Sequence, residues 1–485
     1  MVFSSQIFLF YFLPLVLLLY YLLPFRARTA LIALASYVFY GWANPIWAAI
    51  MFFGSSVDYV CGLWLLRLSH LPDDGALPPR IGPEVPRTRA MRWVLALSIA
   101  TNLGLLAVFK YTGFVAENVN ALGRALGLGR ELLPVLHIVL PVGISFYTFK
   151  AMSYAIDVYR GDARPMRRFT DDMCFEAFFP DLVAGPIIRY AAMEEQMRLR
   201  SHTLDKFARG VAFFAFGMAK KVLIANPMGH IADATFAAGA LHAYDAWYGV
   251  IAYAFQIYFD FSGYSDMAVG LALMLGFVLI QNFDAPYQAA SITEFWRRWH
   301  ISLSTWLRDY LYIPLGGNRL GPLRTYLNLM VVMLLGGLWH GASWNFVIWG
   351  AIHGGALAAE RAQGKHSAYR RLPRPLQVGL TFALVCIAWV FFRAKSLPEA
   401  QRYLAAMFGA SHITSAADAV AGAIYTPYHR AIFLLAAALA FFAPTTWRFT
   451  ERLSAPRACT ALGAFALSVA LMWTQTVNPF LYFQF

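Results

Sequence analysis

Long uncharged runs dominate the pattern of hydrophobic and polar positions along this chain. No Asp, Glu, Lys or Arg occurs in residues 1–25, 29–57, 132–149, 325–359, 375–392 or 458–485. A membrane-spanning helix needs about 20 mainly apolar residues. Shorter uncharged runs lie near 94–109, 246–259, 267–283 and 431–447, and 207–224 is a further candidate despite Arg209, Lys220 and Lys221 near its ends. The pattern predicts an all-α, multi-pass membrane protein with about eleven spanning helices.

Turn-forming residues divide the run from 29 to 57. Asn44 and Pro45 follow a glycine at position 41, which predicts two helices joined by a tight turn. Arg26 and Arg28 precede this run, and an arginine-rich loop (67–92) follows it. Because basic loops favour the cytoplasmic face, we expect the N-terminus to lie on the opposite, outer side of the membrane.

Two segments do not fit a simple span. Residues 175–190 interrupt an apolar stretch with Glu, Asp and a Gly-Pro pair, which predicts a re-entrant segment buried in protein. Residues 292–312 read as one amphipathic helix with five positions on its polar face: Glu294, Arg297, Ile301, Ser304 and Arg308. His300 lies at the edge of that face. Such a helix either rests on the membrane surface or lines an internal cavity.

Composition supports the membrane assignment. Hydrophobic residues make up 59% of the chain and charged residues 13%. In soluble domains roughly half of the residues are hydrophobic and roughly a quarter are charged. The net charge of +13 is not gathered on a polar domain, so we expect no nucleic-acid partner. A single multi-pass domain over residues 1–485, in contact with membrane lipid, is predicted.

Motifs of soluble enzymes are absent from the sequence. It contains no phosphate-binding loop, dinucleotide fingerprint or serine-hydrolase elbow, and no metal-ligand spacing occurs. Any chemistry must therefore use groups that lie within the membrane.

Two histidines stand inside the longest uncharged run. Ionisable groups within a bilayer are costly and are therefore candidates for function. His340 follows Trp339 and is surrounded by small residues, so it is either a catalytic base or a histidine that bonds between packed helices. His353 would lie about 20 Å further along a straight helix, unless the helix breaks at Gly341. For His353 a structural role is favoured.

Asp260 and Asp266 form a second ionisable pair in an apolar stretch. We expect a helix break at Ser262 and Gly263, with Asp266 satisfied by hydroxyl groups or by an arginine. The alternative is a proton or cation relay.

Three segments together carry a family resemblance: 258–268 (YFDFSGYSDMA), 291–319 and 336–342 (GGLWHGA). They resemble the membrane-bound O-acyltransferase superfamily, and within it the membrane subunits that O-acetylate alginate and cellulose. The resemblance covers nearly the whole chain and is densest over 255–355, which we interpret as the catalytic core. It implies spanning and re-entrant helices around a central tunnel, through which acyl groups from a cytoplasmic thioester reach an extracytoplasmic acceptor.

The resemblance also implies a site. The histidine of the Trp-His-Gly motif, here His340, is expected to be essential, with His300 as the second family histidine. A neutral imidazole in a desolvated tunnel can accept the proton of an attacking hydroxyl. The residues proposed to line the tunnel or bind the donor are Arg297, Ser304, Arg308, Asp266, Trp339 and Asn345. Arg297 or Arg308 would meet the donor phosphates.

The aromatic tail (475–485) contains a single tyrosine, Tyr482, among phenylalanines. One interpretation is an anchor at the membrane interface. The other, by similarity to the tail of small partners in D-alanyl transfer, is that Tyr482 relays the acyl group outward.

The expected donor is acetyl-CoA, with no bound cofactor. Because no large extracytoplasmic domain is present, the resemblance implies a periplasmic SGNH-type acetyltransferase partner and polysaccharide export machinery. Two alternatives remain: a D-alanyl or other acyltransferase of the same fold, and a transporter for an acyl donor or ion. A transporter should tolerate His340→Ala better than an enzyme.

Overall fold

Helices make up all the regular secondary structure in the described part of the chain, which confirms the predicted all-α class. The computed structural model describes residues 1–72, 75, 77–128, 131–136, 138–364, 368–411, 415–474 and 480–481.

The first helices in chain order are α1 (Leu13–Leu22), α2 (Phe25–Gly41), α3 (Pro45–Ser69), α4 (Arg89–Leu106), α5 (Thr112–Ala125), α6 (Ile144–Arg160), α7 (Phe169–Glu176) and α8 (Tyr190–Arg198). The remaining helices are α9 (Leu204–Ala219), α10 (Asn226–Ala237), α11 (Ala243–Met274), α12 (Ile292–Arg298), α13 (Ile301–Leu307), α14 (Pro322–His340), α15 (Trp344–Gln363), α16 (Arg374–Arg393), α17 (Leu397–Met407), α18 (Ser415–Ile424), α19 (Pro427–Phe441), α20 (Thr446–Phe449) and α21 (Ala455–Met472). π-Helical turns occupy Phe8–Phe12, Ala107–Tyr111, Lys220–Ala225 and Arg308–Tyr312.

Several of these helices are long and apolar enough to cross a membrane. Among the described residues they number five by length and composition: Pro45–Ser69, Arg89–Ala125, Pro322–His340, Arg374–Arg393 and Ala455–Met472. A sixth is the pair Ala417–Ile424 and Pro427–Phe441, bent by 70°. Other uncharged intervals that predict spans form shorter helices or lie in α11, which has buried charges. The span predicted at 132–149 is wrong, because residues 132–136 and 138–143 are not helical and α6 begins only at Ile144.

The chain forms two compact units. Unit one comprises Met1–Phe207 and Leu271–Leu279, and unit two comprises Ala208–Gly270 and Ile280–Phe485. In unit one, α2 and α3 are separated at the predicted turn, where the Asn44 side chain accepts a hydrogen bond from the Ile46 amide and caps α3. Residues 177–189 are non-helical and almost entirely buried, as expected for irregular backbone enclosed by protein.

In unit two, α11 is continuous, so the helix break predicted at Ser262 and Gly263 is wrong. Gly263 instead allows another segment to approach closely, because a Cβ there would lie 2.8 Å from the carbonyl oxygen of Gly217. Two lysines that follow Gly217 in the chain, Lys220 and Lys221, then reach the two carboxylates of α11. Lys220 Nζ lies 2.6 Å from Asp266 Oδ2, and Lys221 Nζ lies 2.5 Å from Asp260 Oδ1.

Candidate active site

A helical hairpin in unit two positions His340. This histidine is the last residue of α14, and α15 begins four residues later, after an extended turn at Gly341. The helices touch through glycines: a Cβ at Gly337 would lie 2.2 Å from the carbonyl oxygen of Phe346, and one at Gly350 would lie 2.3 Å from that of Met333. The small residues of the motif therefore provide close helix packing.

Aromatic side chains surround the imidazole of His340, which is only 5% exposed. Its ring centroid lies 4.8 Å from that of Trp339 and 5.1 Å from those of Trp349 and Phe392. The C-terminal end of a helix carries a partial negative charge that favours a nearby cation by about 0.3–1 kcal/mol. His340 stands at such an end, as the last residue of α14.

A cavity of about 450 Å³ opens beside His340. Apolar side chains form most of its wall, and the polar lining residues are Thr293, Arg297, Ser304, Thr305, Arg308, Tyr312 and His340. Gly336 also lines it, and the absence of a side chain there leaves room beside the imidazole. A volume of this size and a mainly apolar wall with a few polar groups are typical of sites for small organic molecules.

His300 lies behind this wall. It is fully buried, is not among the described cavity-lining residues, and its ring centroid is 6.5 Å from that of His340. Its φ of 43° places it in the left-handed region, which is costly for a residue with a side chain and often marks a functional site. Burial lowers the pKa of His300 to about 3, so the imidazole is neutral at physiological pH.

Asn282 holds the backbone around His300 in this conformation. Its carbonyl oxygen accepts a hydrogen bond from the Ile301 amide at 2.9 Å. Its side-chain oxygen accepts from the Ser302 amide at 3.2 Å and from the Ser302 hydroxyl at 2.9 Å, and it lies 3.2 Å from Nδ1 of His300. The Asn282 amide nitrogen in turn donates to Ser265 Oγ at 3.0 Å.

The single amphipathic helix predicted over 292–312 is therefore wrong. Two short helices, α12 and α13, are separated at Trp299 and His300, because the left-handed backbone of His300 cannot continue a helix. Four of the five predicted polar-face residues nevertheless line the cavity: Arg297, Ile301, Ser304 and Arg308. The fifth, Glu294, pairs with Arg298 at 2.8 Å instead.

The two arginines of the cavity differ in their partners. Arg308 is bound in a bidentate pair by its neighbour Asp309, with Nε to Oδ1 at 2.6 Å and Nη2 to Oδ2 at 3.0 Å. Arg297 is exposed and makes no hydrogen bond or ion pair with the described residues. Arg297 is therefore the better placed of the two to meet an incoming anion.

The remaining sequence candidates lie outside the cavity wall. Trp339 packs against both histidine rings, with its ring centroid 4.8 Å from that of His340 and 5.9 Å from that of His300. The Asn345 side chain donates to the carbonyl oxygen of Ala394 at 2.6 Å and so ties α15 to the end of α16. Asp266 accepts a hydrogen bond from Thr446 Oγ1 at 2.6 Å. The predicted hydroxyl partner is thus present, but the basic partner is Lys220 rather than an arginine.

His353 occupies a structural position. Because the chain turns after α14, His353 lies close to His340. The ring of Trp349 packs against both histidines, with centroids 5.1 Å from His340 and 4.8 Å from His353. The Trp296 indole donates to His353 Nδ1 at 3.3 Å, and the ring stacks on Phe295.

The tail of the chain is described only at Phe480 and Leu481, and both are buried. The Leu481 amide donates to Asp260 Oδ2 at 2.9 Å, and Phe480 packs against Tyr264 and the ammonium group of Lys221. Tyr482 lies outside the described residues.

Three residues of the site were not identified from the sequence. Asn282 stands 18 positions before His300, and Trp349 and Phe392 are ordinary aromatic residues of apolar runs. Only the folded chain brings them to the histidines. A polar residue with no obvious partner in an apolar run, such as Asn282, is the one hint that could have been followed.

Comparison with known proteins gives a family match. The model of the membrane-bound O-acyltransferase family matches residues 174–397. The probable alginate O-acetylase AlgI of Azotobacter vinelandii is 50% identical over 409 residues, covering 84% of this chain and 78% of the relative. The peptidoglycan O-acetyltransferase of Helicobacter pylori is 35% identical, covering 85% of this chain and 81% of the relative. The teichoic acid D-alanyltransferase of Streptococcus thermophilus is 28% identical, over 52% of this chain and 68% of the relative.

Proposed function

The chain belongs to the membrane-bound O-acyltransferase family, and on that premise we propose that it moves acetyl groups from acetyl-CoA to an exported polysaccharide. Alginate is the first candidate polymer, because the relatives at 50% identity are named alginate O-acetylases. The chain is a multi-pass membrane acyltransferase. The observation that carries the proposed chemistry is a single imidazole, that of His340, in the wall of an otherwise mainly apolar cavity.

His340 is the proposed general base. It takes the proton of the acceptor hydroxyl while that oxygen bonds to the thioester carbonyl carbon. The carbon–sulfur bond then breaks, and the imidazolium returns the proton to the CoA thiolate. The helix C-terminus beside His340 favours the transient imidazolium. General-base catalysis of this kind contributes typically 10²- to 10⁴-fold in rate.

His300 is proposed as a positioning residue. It lies against Trp339 and His340 without lining the cavity, and its neutral, strained position is held by Asn282. Its expected effect is on the placement of the wall that carries Ser304 and Arg308.

The donor proposed for the cavity is acetyl-CoA. Arg297, with no described partner, is the proposed contact for a donor phosphate, and Ser304 and Arg308 contribute to the same wall. No further cofactor is proposed.

An acyl relay through Tyr482 is proposed for the outward step. The phenol would accept acetyl from CoA as an ester and pass it to the next hydroxyl acceptor, regaining its proton. Support comes from the neighbouring residues: Phe480 and Leu481 are buried, and Leu481 is bound to Asp260. Final transfer to the polymer is assigned to a periplasmic SGNH-type partner within the export machinery, with the chain in the inner membrane and its N-terminus periplasmic.

The test is acetyl transfer by purified full-length protein with radiolabelled acetyl-CoA, scoring CoA release and label retained on the chain. His340→Ala is expected to lower CoA release at least about 10²-fold. His230→Ala, a change at an exposed histidine, is the matched control and should behave as wild type. Turnover by His340→Ala at the wild-type rate would contradict the proposal.

Two further measurements test the relay and the identity of the transferred group. Tyr482→Phe should retain no label and should release CoA more slowly than wild type, because the acceptor hydroxyl of the relay is gone. Retained label, or CoA release at the wild-type rate, in this variant would reject the relay alone. A D-alanyl thioester donor tests the second candidate, which the relatives named teichoic acid D-alanyltransferase suggest. Faster turnover with that donor than with acetyl-CoA would mean that the transferred group is D-alanyl and not acetyl.

A further inference from the structure

A second cavity, in unit one, has a different chemical character. Its volume is about 620 Å³, and its described lining residues include five arginines, Arg26, Arg164, Arg167, Arg168 and Arg198, and two acidic residues, Asp171 and Glu194. The walls come from the start of α2, residues 77 and 78, the loop before α7, and α8. No residue of the candidate acyl-transfer site is among its described lining residues.

The cavity is built on an ordered frame. Arg87 donates hydrogen bonds to the carbonyl oxygens of Ile81, Gly82, Val85, Tyr159 and Arg160 at 2.7–3.1 Å, which joins the loop leading from residue 78 to the end of α6. The buried carboxylate of Glu194 pairs with Arg80 and Arg164, both at 3.0 Å, and so fixes one arginine in the wall.

Three of the lining arginines are available to a ligand. The side chains of Arg26, Arg168 and Arg198 are exposed and make no hydrogen bond or salt bridge with the described residues, although the charge of Arg168 acts on the nearby Asp171 carboxyl. The guanidinium of Arg200 stacks on the ring of Phe25, which lines the cavity, at 4.7 Å from the ring centroid. The buried Nη2 of Arg200 has no hydrogen-bond acceptor among the described residues. Guanidinium groups of this kind bind phosphate oxygens strongly.

An apolar stripe leads away from the cavity along α2. Ala30 lines the cavity, and Leu34 and Val38 follow at intervals of four residues, on the same face of the helix. Leu34 is 64% exposed and Val38 is 47% exposed. The stripe from Ala30 to Val38 is about 12 Å long. A phosphate site that continues into an exposed apolar stripe matches a headgroup joined to an acyl chain.

We propose that this cavity binds the headgroup of an anionic phospholipid, such as phosphatidylglycerol, with an acyl chain along the Ala30–Leu34–Val38 stripe of α2. Basic pockets between membrane helices are a recognised type of lipid-headgroup site. The ligand chemistry is a phosphodiester anion, and the stripe favours a lipid over a free phosphate.

The test is lipid binding by purified full-length protein in nanodiscs or detergent, using phosphatidylglycerol, phosphatidylcholine and inorganic phosphate as probes. Wild type should bind phosphatidylglycerol in preference to phosphatidylcholine, as measured by native mass spectrometry and by a rise in unfolding temperature. The double variant Arg168→Gln/Arg198→Gln should weaken phosphatidylglycerol binding roughly tenfold or more. The control Arg89→Gln/Arg92→Gln removes the same charge from exposed positions outside the cavity and should stay within about twofold of wild type.

Equal phosphatidylglycerol binding by wild type and the cavity variant would overturn the proposal. Stabilisation by inorganic phosphate as strong as that by phosphatidylglycerol would overturn the lipid assignment in favour of a soluble phosphate ligand. If the double variant does not fold, Arg26→Gln provides a second test at an exposed position, with the same expected loss of preference for phosphatidylglycerol.

Discussion

The cavities of the two units differ in what they can do. The cavity of unit two, about 450 Å³, has a mainly apolar wall and a single histidine. The cavity of unit one, about 620 Å³, has five arginines and neither histidine nor cysteine among its described lining residues. The first contains an imidazole, which can exchange a proton near neutral pH, whereas the guanidinium groups of the second suit an anion. Cavity size alone therefore does not distinguish the candidate acyl-transfer site; the histidine does.

The largest expected effect comes from separating the helices that form the cavity of unit two. Gly350→Ala places a Cβ about 2.3 Å from the Met333 carbonyl oxygen, so α14 and α15 must move apart. We expect a stability loss of roughly 1–3 kcal/mol and a strong loss of acetyl transfer. Thermal unfolding and CoA release measure the two effects.

Gly355→Ala is the matched control, because a Cβ there has no heavy atom within 4 Å. It should leave activity unchanged and raise stability by up to about 1 kcal/mol. Phosphatidylglycerol binding should be the same in both variants and in wild type. Loss of lipid binding in Gly350→Ala alone would mean that the two cavities do not respond independently, and the comparison would fail.

Sequence patterns predicted the fold class, the turn before α3 and the buried irregular segment after α7, because each depends on local composition. They also placed Arg297, Ser304 and Arg308 on one face, and the structure has all three in the wall of one cavity, since helical phase survives a short break when both halves pack on the same wall. They could not locate Asn282 or the left-handed backbone at His300, because both depend on contacts between distant residues. The pairing of Asp266 with Lys220 was missed for the same reason: the close approach through Gly217 and Gly263 is not visible in a linear pattern.

A smaller effect is expected from Asn282, which holds the backbone around His300. Asn282→Ala removes the bonds to Ser302, Ser265 and His300, at a cost of about 1–3 kcal/mol. If His300 positions the site, kcat per folded molecule should also fall, by up to about 10²-fold, with little change in KM.

Asn102→Ala is the control that separates an effect on the position of His300 from an effect on stability alone. Asn102 is an equally buried asparagine in unit one that bonds to Asp58 and to the Ser98 carbonyl. The substitution should cost similar stability and leave kcat unchanged. Equal losses of kcat in the two variants would reduce Asn282 to a purely structural role.

The smallest expected effect concerns Arg297. Among the described lining residues of the cavity in unit two, it is the one arginine without a hydrogen-bond or ion-pair partner. Arg297→Gln should raise KM for acetyl-CoA up to roughly tenfold, equivalent to about 1.4 kcal/mol, with kcat unchanged. Arg308→Gln should change KM less, because Asp309 already neutralises Arg308. The double variant in the cavity of unit one should change neither constant. A larger effect from Arg308→Gln than from Arg297→Gln would reverse the assignment of the donor contact.

The lysine–aspartate pairs of unit two also bear on how the chain enters the bilayer during synthesis. Lys or Asp near the middle of an isolated helix costs about 2.5–3.5 kcal/mol on insertion. Asp260 and Asp266 stand on α11, while Lys220 and Lys221 stand on the π-helical turn that follows α9. Neither segment carries its own counter-charge in these pairs. We therefore expect the translocation machinery to release the stretch from α9 to α11 laterally as one neutralised hairpin.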